Sequence, residues 1–135
     1  MRSGLVEAGE LDQKDYAMWR GRVASSIRGR RGQQLLRDAL AALDAMPAKR
    51  LIPEAIVEDG DVCLLGAVAN ARGMPAVNLL DPEDHDDLSK KFNVAACLIR
   101  EIEYVNDEEG RAEETPEERF IRVRKWIERH IAAGV

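Results

Sequence analysis

Apolar residues recur at three- and four-residue spacing along most of this chain, which is the spacing of one buried helix face. Such stripes predict helices from Asp15 to about Ile27, from Leu36 to Met46, from Val94 to about Val105 and from Pro116 onward. Their apolar members are Tyr16, Trp19, Val23 and Ile27; Leu36, Ala39, Leu40, Leu43 and Met46; Ala95, Leu98, Ile99, Ile102 and Val105; and Phe120, Val123, Ile127 and Ile131. The pattern predicts a mainly α fold, a compact bundle of five or six helices.

Residues that disfavour helix separate these stripes. The run Arg28–Gly32 holds two glycines and predicts a turn between the first two helices, which then form a helical hairpin. Pro47 closes the second helix, and Gly73 is placed to end another. Asn93 is predicted to separate two further helices, because asparagine tolerates the left-handed backbone that such a turn needs.

Two segments carry helix-start signals. Asp81 is predicted to cap a helix with Pro82 in its first position. Thr115 and Glu118 form the pattern of a capping box, in which each side chain binds the backbone N–H of the other residue. Glu118 also stands four residues before Arg122, the favourable order for an ion pair along a helix.

At most one short β-hairpin is predicted, at about residues 52–65. Asp59-Gly60 lies between two apolar runs, and glycine tolerates the positive φ of a tight hairpin turn. The strands would run from about Ile52 to Glu58 and from Asp61 to Leu65, with Pro53 restricting the first to a sheet edge. We favour a short hairpin that continues into a helix; the alternative is a loop followed by a helix over 62–71.

The bulk composition indicates one globular domain. The chain has 135 residues, of which 45% are hydrophobic and 33% are charged. We expect a flexible tail over residues 1–14 and a single helical domain over 15–135. No apolar run approaches the roughly 20 residues that span a bilayer, and the N-terminus lacks a signal-peptide pattern, so a cytoplasmic protein without membrane association is expected. Cys63 and Cys97 are expected to be small buried hydrophobes.

Charge is unevenly distributed along the chain. Residues 18–50 carry a net charge of +6, residues 51–118 carry −13 and residues 119–135 carry +4, within a total of −5. The basic and acidic parts either pair inside the fold or leave a polarised surface that steers a charged partner.

The basic part contains a patch at residues 20–37. Three of its arginines flank the glycine-containing turn before a helix, where free backbone N–H groups favour a phosphate. No P-loop or dinucleotide spacing is present, and a solvated face that pairs with the acidic middle is the competing interpretation. The candidate phosphate or nucleic-acid contacts are Arg22, Arg28, Arg30, Arg31 and Arg37 from this patch, and Arg100 from a later helix.

Residues 85–105 have the spacing of a helix-turn-helix. Apolar side chains fall where two helices pack across a short turn, and Asn93 falls at the turn itself. The second helix is predicted to expose Glu101 and Glu103 beside Arg100, which disfavours contact with a phosphate backbone. The same spacing also occurs wherever two helices pack across a tight turn, so packing alone is the competing interpretation.

Catalytic and metal-binding patterns are weak. The run Asp84-His85-Asp86-Asp87 contains ligand-type side chains, but consecutive residues at a helix start do not converge, and acidity at a helix start explains them. Ser25 and Ser26 lack a nucleophile-elbow pattern. No catalytic residue, metal or cofactor is predicted, although acids that meet only in the folded chain are invisible to this reasoning.

Four segments resemble an uncharacterised family of small bacteriophage and prophage proteins. They are VASSIRGRRGQQLLRDALAALDAMPAKRLI, DGDVCLLGAVANARG, LDPEDHDDLSKKFNV and ETPEERFIRVRKWI, and the resemblance covers most of the chain after about Tyr16. Asn93 stands where glycine is usual in that family. The resemblance implies a phage accessory role and supplies no activity or site residue.

These observations rank three functions. The first is a non-enzymatic phage or prophage accessory protein that binds a host or phage protein. The alternative is a helix-turn-helix DNA-binding regulator that uses residues 85–105 and the basic patch at 20–37. The third is an enzyme whose site is not visible in the sequence. The oligomeric state is left open.

Overall fold

The fold is a helical bundle with one very short β-hairpin. A computed structural model describes residues 13–132, and 65% of the structure is helical. Residues 1–12, most of the predicted tail, lie outside the described residues, as do residues 133–135. In chain order the described elements are α1 (Gln13–Arg28), α2 (Arg30–Ala45), β1 (Val57–Glu58), β2 (Asp61–Val62), α3 (Leu64–Ala71), a single 3₁₀ turn (Val77–Leu79), α4 (His85–Phe92), α5 (Ala96–Asp107) and α6 (Pro116–His130). The predicted mainly α fold, a bundle of five or six helices with at most one short hairpin, is confirmed.

Two central helices organise the core. Helix α2 packs against α1, α3 and α6, and α5 packs against α1, α3, α4 and α6. The largest fully buried side chains are almost all aliphatic: Leu35, Leu36, Leu43, Leu51, Leu64, Leu65, Leu88, Leu98, Ile99, Ile102 and Ile127, together with Phe92. Each such side chain contributes about 2 kcal/mol by leaving water, so this core is the main source of stability. Within residues 13–132 no helix has the length and apolarity that a bilayer crossing requires.

The junction of α1 and α2 is tighter than predicted. Only Gly29, in an extended conformation, separates the two helices, whereas the sequence predicted a turn over Arg28–Gly32. Gly32 lies inside α2 and is buried, and a Cβ there would collide with the backbone oxygen of Ser26. This second glycine therefore permits close contact between α1 and α2 and does not form part of the turn.

The hairpin is confirmed, but its strands are shorter than predicted. Val57 pairs with Val62 and Glu58 with Asp61, and the turn residues between them have φ values of 52° and 84°. Such positive φ values are those of a tight primed turn. The predicted strands over 52–58 and 61–65 are wrong in extent because Glu54 has a φ of 69°, which breaks the first strand, and α3 already begins at Leu64. The favoured hairpin that continues into a helix is thus correct.

Helix α4 starts three residues later than predicted. Asp84 caps it by accepting a hydrogen bond from the backbone N–H of Asp87 at 3.2 Å. Asp81 instead accepts from the N–H of Glu83 at 2.9 Å, and the N–H of Asp84 donates to the carbonyl of Asp81 at 3.1 Å. The segment around Pro82 therefore forms a turn, and the prediction of Asp81 as helix cap is wrong.

Two helix ends follow the sequence prediction. Gly73 follows α3 with a φ of 68°, and Asn93 ends α4 in the left-handed conformation at φ 59° and ψ 47°. Ala95 is extended, so α5 runs over Ala96–Asp107 where the sequence predicted Val94 to about Val105. The three residues of the α4–α5 connection account for the late start of α5.

The capping box of α6 is confirmed. The N–H of Glu118 donates to Thr115 Oγ1 at 3.1 Å, and the N–H of Thr115 donates to Glu118 Oε1 at 2.9 Å. The predicted pair of Glu118 with Arg122 is wrong. The carboxylate of Glu118 binds Arg111 at 2.7 Å, while Arg122 turns inward and binds Glu114 at 2.6 Å.

Candidate functional site

A groove about 900 Å³ in volume opens between three parts of the bundle. We call it the arginine groove. One wall is the outer side of α1, the second is the α1–α2 junction and the third is the connection from α4 into α5. Its lining residues are Met18, Gly21, Arg22, Ser25, Ser26, Gly29, Arg30, Arg31, Gly32, Val94, Ala95 and Cys97. The groove thus combines an apolar floor with a cationic rim.

The fold brings together three of the six candidate contacts from the sequence. Arg22 lines the groove from α1, and Arg30 and Arg31 line it from the first turn of α2. The other three do not line the groove: Arg28 is exposed at the end of α1, Arg37 is half-buried on α2, and Arg100 is exposed on α5. The basic patch of the sequence is therefore divided, and only part of it faces a concave surface.

The rim arginines carry charge that the fold leaves largely free. Among the described residues, no carboxylate lies within ion-pair distance of Arg22 or Arg30, and Arg31 Nη1 donates only to Asn93 Oδ1 at 3.3 Å. Arg20, two residues before Arg22, behaves differently: its guanidinium binds Glu101 at 2.7 Å. Guanidinium groups without a carboxylate partner on a groove rim are available to bind a carboxylate or phosphate.

Two helix starts adjoin the groove without side-chain caps. Gly29 precedes α2 and Ala95 precedes α5, and neither residue has a polar side-chain atom that could accept a hydrogen bond from the following turn. Both residues line the groove. The first-turn N–H groups of a helix carry partial positive charge, so they add to the field of the arginines.

The helix-turn-helix spacing corresponds to α4, the turn at Asn93 and α5. The predicted exposure of acids on its second helix is wrong. Glu101 is 3% exposed and faces Arg20 on α1. Glu103 is half-buried, and its Oε1 lies 2.7 Å from His85 Nε2 on α4. Both carboxylates turn inward because α5 packs against four helices, and sequence spacing alone does not reveal those neighbours.

Among the described carboxylic acids, Glu103 has the pKa that lies furthest from its ordinary value. Burial, followed by the charge of Asp107, raises its pKa to about 8. Burial also lowers the pKa of His85. A raised carboxyl pKa is a common mark of acid–base catalysis, but the cavity beside Glu103 has a volume of only about 10 Å³. That space holds about one water molecule, so a substrate has no room to bind beside Glu103.

The two thiols are poor nucleophiles in this environment. Burial raises the pKa of Cys63 to about 12 and raises that of Cys97, which lies on the groove wall. The thiolate is the reactive form, so both shifts lower reactivity. Over residues 13–132 no group of three or more His, Cys, Asp or Glu side chains is arranged to hold a metal ion.

Sequence reasoning missed the floor of the groove. Met18, half-exposed at 51%, and Gly21 both lie on α1, but neither belongs to a recognisable motif. Gly21 did carry a signal, because glycine in the interior of a helix is unfavourable and calls for a reason. No protein-family model matches the chain, and neither a curated protein nor a solved structure is significantly similar to it.

Proposed function

We propose that this chain is a non-enzymatic accessory protein that binds another protein, encoded by a phage or by its host, through the arginine groove. One observation carries the proposal: three arginines without a carboxylate partner among the described residues surround an apolar floor. A surface that joins apolar area with arginine is typical of the centre of a protein interface. The phage setting is supported by the sequence resemblance alone.

A crosslinking experiment tests the proposal. A photoreactive benzoylphenylalanine replaces Ser25, which is exposed on the groove wall, and the protein is irradiated in host lysate. We expect one dominant adduct that is lost in the groove triple variant, Arg22→Glu, Arg30→Glu and Arg31→Glu.

The matched control carries the same change of charge elsewhere. Lys90, Lys125 and Arg129 are exposed and lie outside the arginine groove. The control triple variant, Lys90→Glu, Lys125→Glu and Arg129→Glu, should retain the adduct. An adduct that survives in the groove triple variant, or that forms equally from a photoreactive residue at Ala112, would contradict docking at the groove.

A DNA-binding regulator is the second candidate. The observation that favours it is the position of the rim arginines beside the first turn of α5, the second helix of the helix-turn-helix. Glu101 and Glu103 are not exposed on α5, because they pair with Arg20 of α1 and His85 of α4. Against it, helix-turn-helix docking brings the first helix to the DNA backbone, and the segment from Asp81 to Asp87 that opens α4 is rich in carboxylates.

Fluorescence anisotropy separates the two candidates. A labelled random duplex is titrated with the protein at low and at raised salt. DNA binding that weakens steeply with salt and is lost in the groove triple variant would favour the regulator. If the protein does not bind the duplex even at low salt, the chain is not a DNA-binding regulator.

A further inference from the structure

We infer that the arginine groove takes an acidic segment of a partner protein, which lies close against α1 at Gly21. The segment places an apolar side chain on the groove floor and presents carboxylates to Arg22, Arg30 and Arg31. This inference rests on the proposed function, because it assumes a protein partner, and it names the chemistry of that partner.

Gly21 gives the first argument, which does not depend on charge. It lies within α1, is exposed and has an ordinary helical backbone, and a Cβ added there would meet no atom of the described residues within 4 Å beyond its own helix backbone and chain neighbours. The fold therefore gives neither a steric nor a conformational reason for glycine. Glycine in a helix interior nevertheless destabilises the helix relative to alanine. Its position on the floor of the arginine groove supplies a reason, because the missing side chain leaves room for the backbone of an occupant.

Gly32 shows the contrast within the same groove. It is buried in α2, and a Cβ there would collide with the backbone oxygen of Ser26. Packing of α2 against α1 thus requires glycine at position 32. At position 21 no contact within the protein requires glycine, which leaves the approach of an occupant in the groove as the reason.

The charge of α2 gives the second argument. Arg30 and Arg31 occupy its first turn, which contains no acidic residue. Cations at a helix N-terminus oppose the helix dipole. Helices α4 and α6 follow the dipole rule, since both have acidic residues in the first turn and basic residues in the last. The arrangement in α2 therefore destabilises the isolated protein, and an anionic occupant relieves it.

The composition of the groove selects a protein segment over nucleic acid. None of the groove-lining residues within 13–132 is aromatic, so unpaired bases find no aromatic surface there on which to stack. Met18 and Ala95 provide an apolar floor, which a sugar–phosphate backbone does not use. A volume of about 900 Å³ accommodates a few side chains, the size of a short linear segment.

Selection from a random-peptide library displayed on phage, against the immobilised full chain, tests the inference. We expect the enriched peptides to carry two or more Asp or Glu next to a large apolar residue. A synthetic peptide of the enriched sequence should bind about a hundredfold more weakly to the groove triple variant, because several charge-assisted contacts are lost. The control triple variant should bind it normally.

Gly21→Leu is the independent steric test. Leucine favours helix more than glycine does, and the open space at Gly21 admits its side chain, so the variant should fold normally by circular dichroism. Its side chain fills the floor, and peptide affinity should fall by about tenfold or more. A Gly21→Leu variant that binds the peptide as tightly as the original chain would overturn the close approach at α1.

The outcomes separate this inference from the proposed function. Three outcomes would overturn the acidic partner: enriched peptides without acidic residues, a library that yields no binder, and peptide affinity that is unchanged in the groove triple variant. The proposed function would survive any of these outcomes if the crosslinking experiment still captured one specific protein at the groove. Salt-sensitive binding of a labelled DNA duplex at the groove, with no peptide enriched, would overturn both.

Discussion

At the scale of single residues, the buried amide of Asn106 joins three parts of the chain. Its Oδ1 accepts from the N–H of Leu64 at the start of α3, at 3.1 Å, and its Nδ2 donates to the carbonyl of Ile52 at 2.9 Å. Asn106 itself is 2% exposed. We expect Asn106→Ala to lower the free energy of unfolding by about 3 kcal/mol, because two backbone groups lose their partner.

Urea denaturation followed by circular dichroism measures this loss. Asn70→Ala serves as the control, because Asn70 is exposed on α3 and should change stability by less than about 0.5 kcal/mol. Similar midpoints for the two variants would contradict the role of Asn106 as a junction.

Glu103 predicts a pH dependence of stability. Burial raises its pKa to about 8 in the folded chain, from the 4.5 of a glutamate in water. The folded state therefore holds this proton more tightly, so the contribution of Glu103 is fully present below about pH 4.5 and is lost as pH rises through about 8. The lowered pKa of His85 acts in the opposite direction on the acidic side, because its protonation favours unfolding.

Glu103→Gln isolates this contribution. Glutamine keeps a donor near His85 Nε2 but does not ionise, so the stability of the variant relative to the original chain should rise steadily between about pH 5 and pH 9. Urea denaturation at several pH values gives this difference. A difference that is constant over the range would mean that the pKa of Glu103 is not raised.

Residue-level features were predictable from the sequence where all partners are close in the chain. The capping box needs only Thr115 and Glu118, and it formed as predicted. Asp81 and Asp84 are both plausible caps, and the choice between them depends on a turn that competes with the helix start. The orientation of Glu101 was not predictable, because its partner Arg20 is 81 positions away.

At the scale of elements, two glycines predict opposite responses to the same substitution. Gly32→Ala should destabilise the protein by about 3 kcal/mol or more, since a Cβ meets the backbone of Ser26 and the α1–α2 contact must open. Gly21→Ala should stabilise it by about 1 kcal/mol, because the new Cβ meets nothing and alanine favours helix. Thermal unfolding compares the two directly, and a stabilised Gly32→Ala would contradict the close packing of α1 on α2.

The periodic stripes correctly predicted α1, α2, α5 and α6. The helix boundaries depended on backbone geometry that the stripes do not encode. The run Arg28–Gly32 contains two glycines of identical appearance, but Gly29 separates two helices and Gly32 allows them to touch. The hairpin strands were predicted too long because the left-handed backbone at Glu54 is not a position where glutamate is expected. The groove was not predictable, since its walls come from segments far apart in the sequence.

At the scale of the whole molecule, the uneven charge along the chain is partly balanced by pairs between segments. Arg20 of the basic segment binds Glu101 at 2.7 Å, and Arg122 of the basic C-terminal segment binds Glu114 of the acidic middle at 2.6 Å. Arg22 and Arg30 have no such partner among the described residues. Both interpretations of the charge distribution thus hold in part: some of it pairs internally, and the remainder polarises the surface at the groove.

The arginines in the first turn of α2 predict that replacing them with acids raises stability and abolishes binding of the partner. Arg30→Glu with Arg31→Glu places acids in the first turn of α2, where they complement the helix dipole. We expect a gain of about 1 kcal/mol in the free energy of unfolding at low ionic strength, which shrinks as salt screens the interaction. The same double variant should lose the crosslinked partner.

The control for this prediction makes an equal charge change at the opposite end of a helix. Lys90 and Lys91 lie in the last turn of α4, and Lys91 pairs with Asp87 at 2.9 Å. Lys90→Glu with Lys91→Glu should therefore lower stability, because the new carboxylates oppose the dipole and one ion pair is lost. If both double variants shifted stability in the same direction, the change in net charge would be the cause. Arg30 and Arg31 would then not destabilise α2 through the helix dipole. Opposite shifts would mean that the chain retains Arg30 and Arg31 despite their effect on folding, as residues kept for binding are.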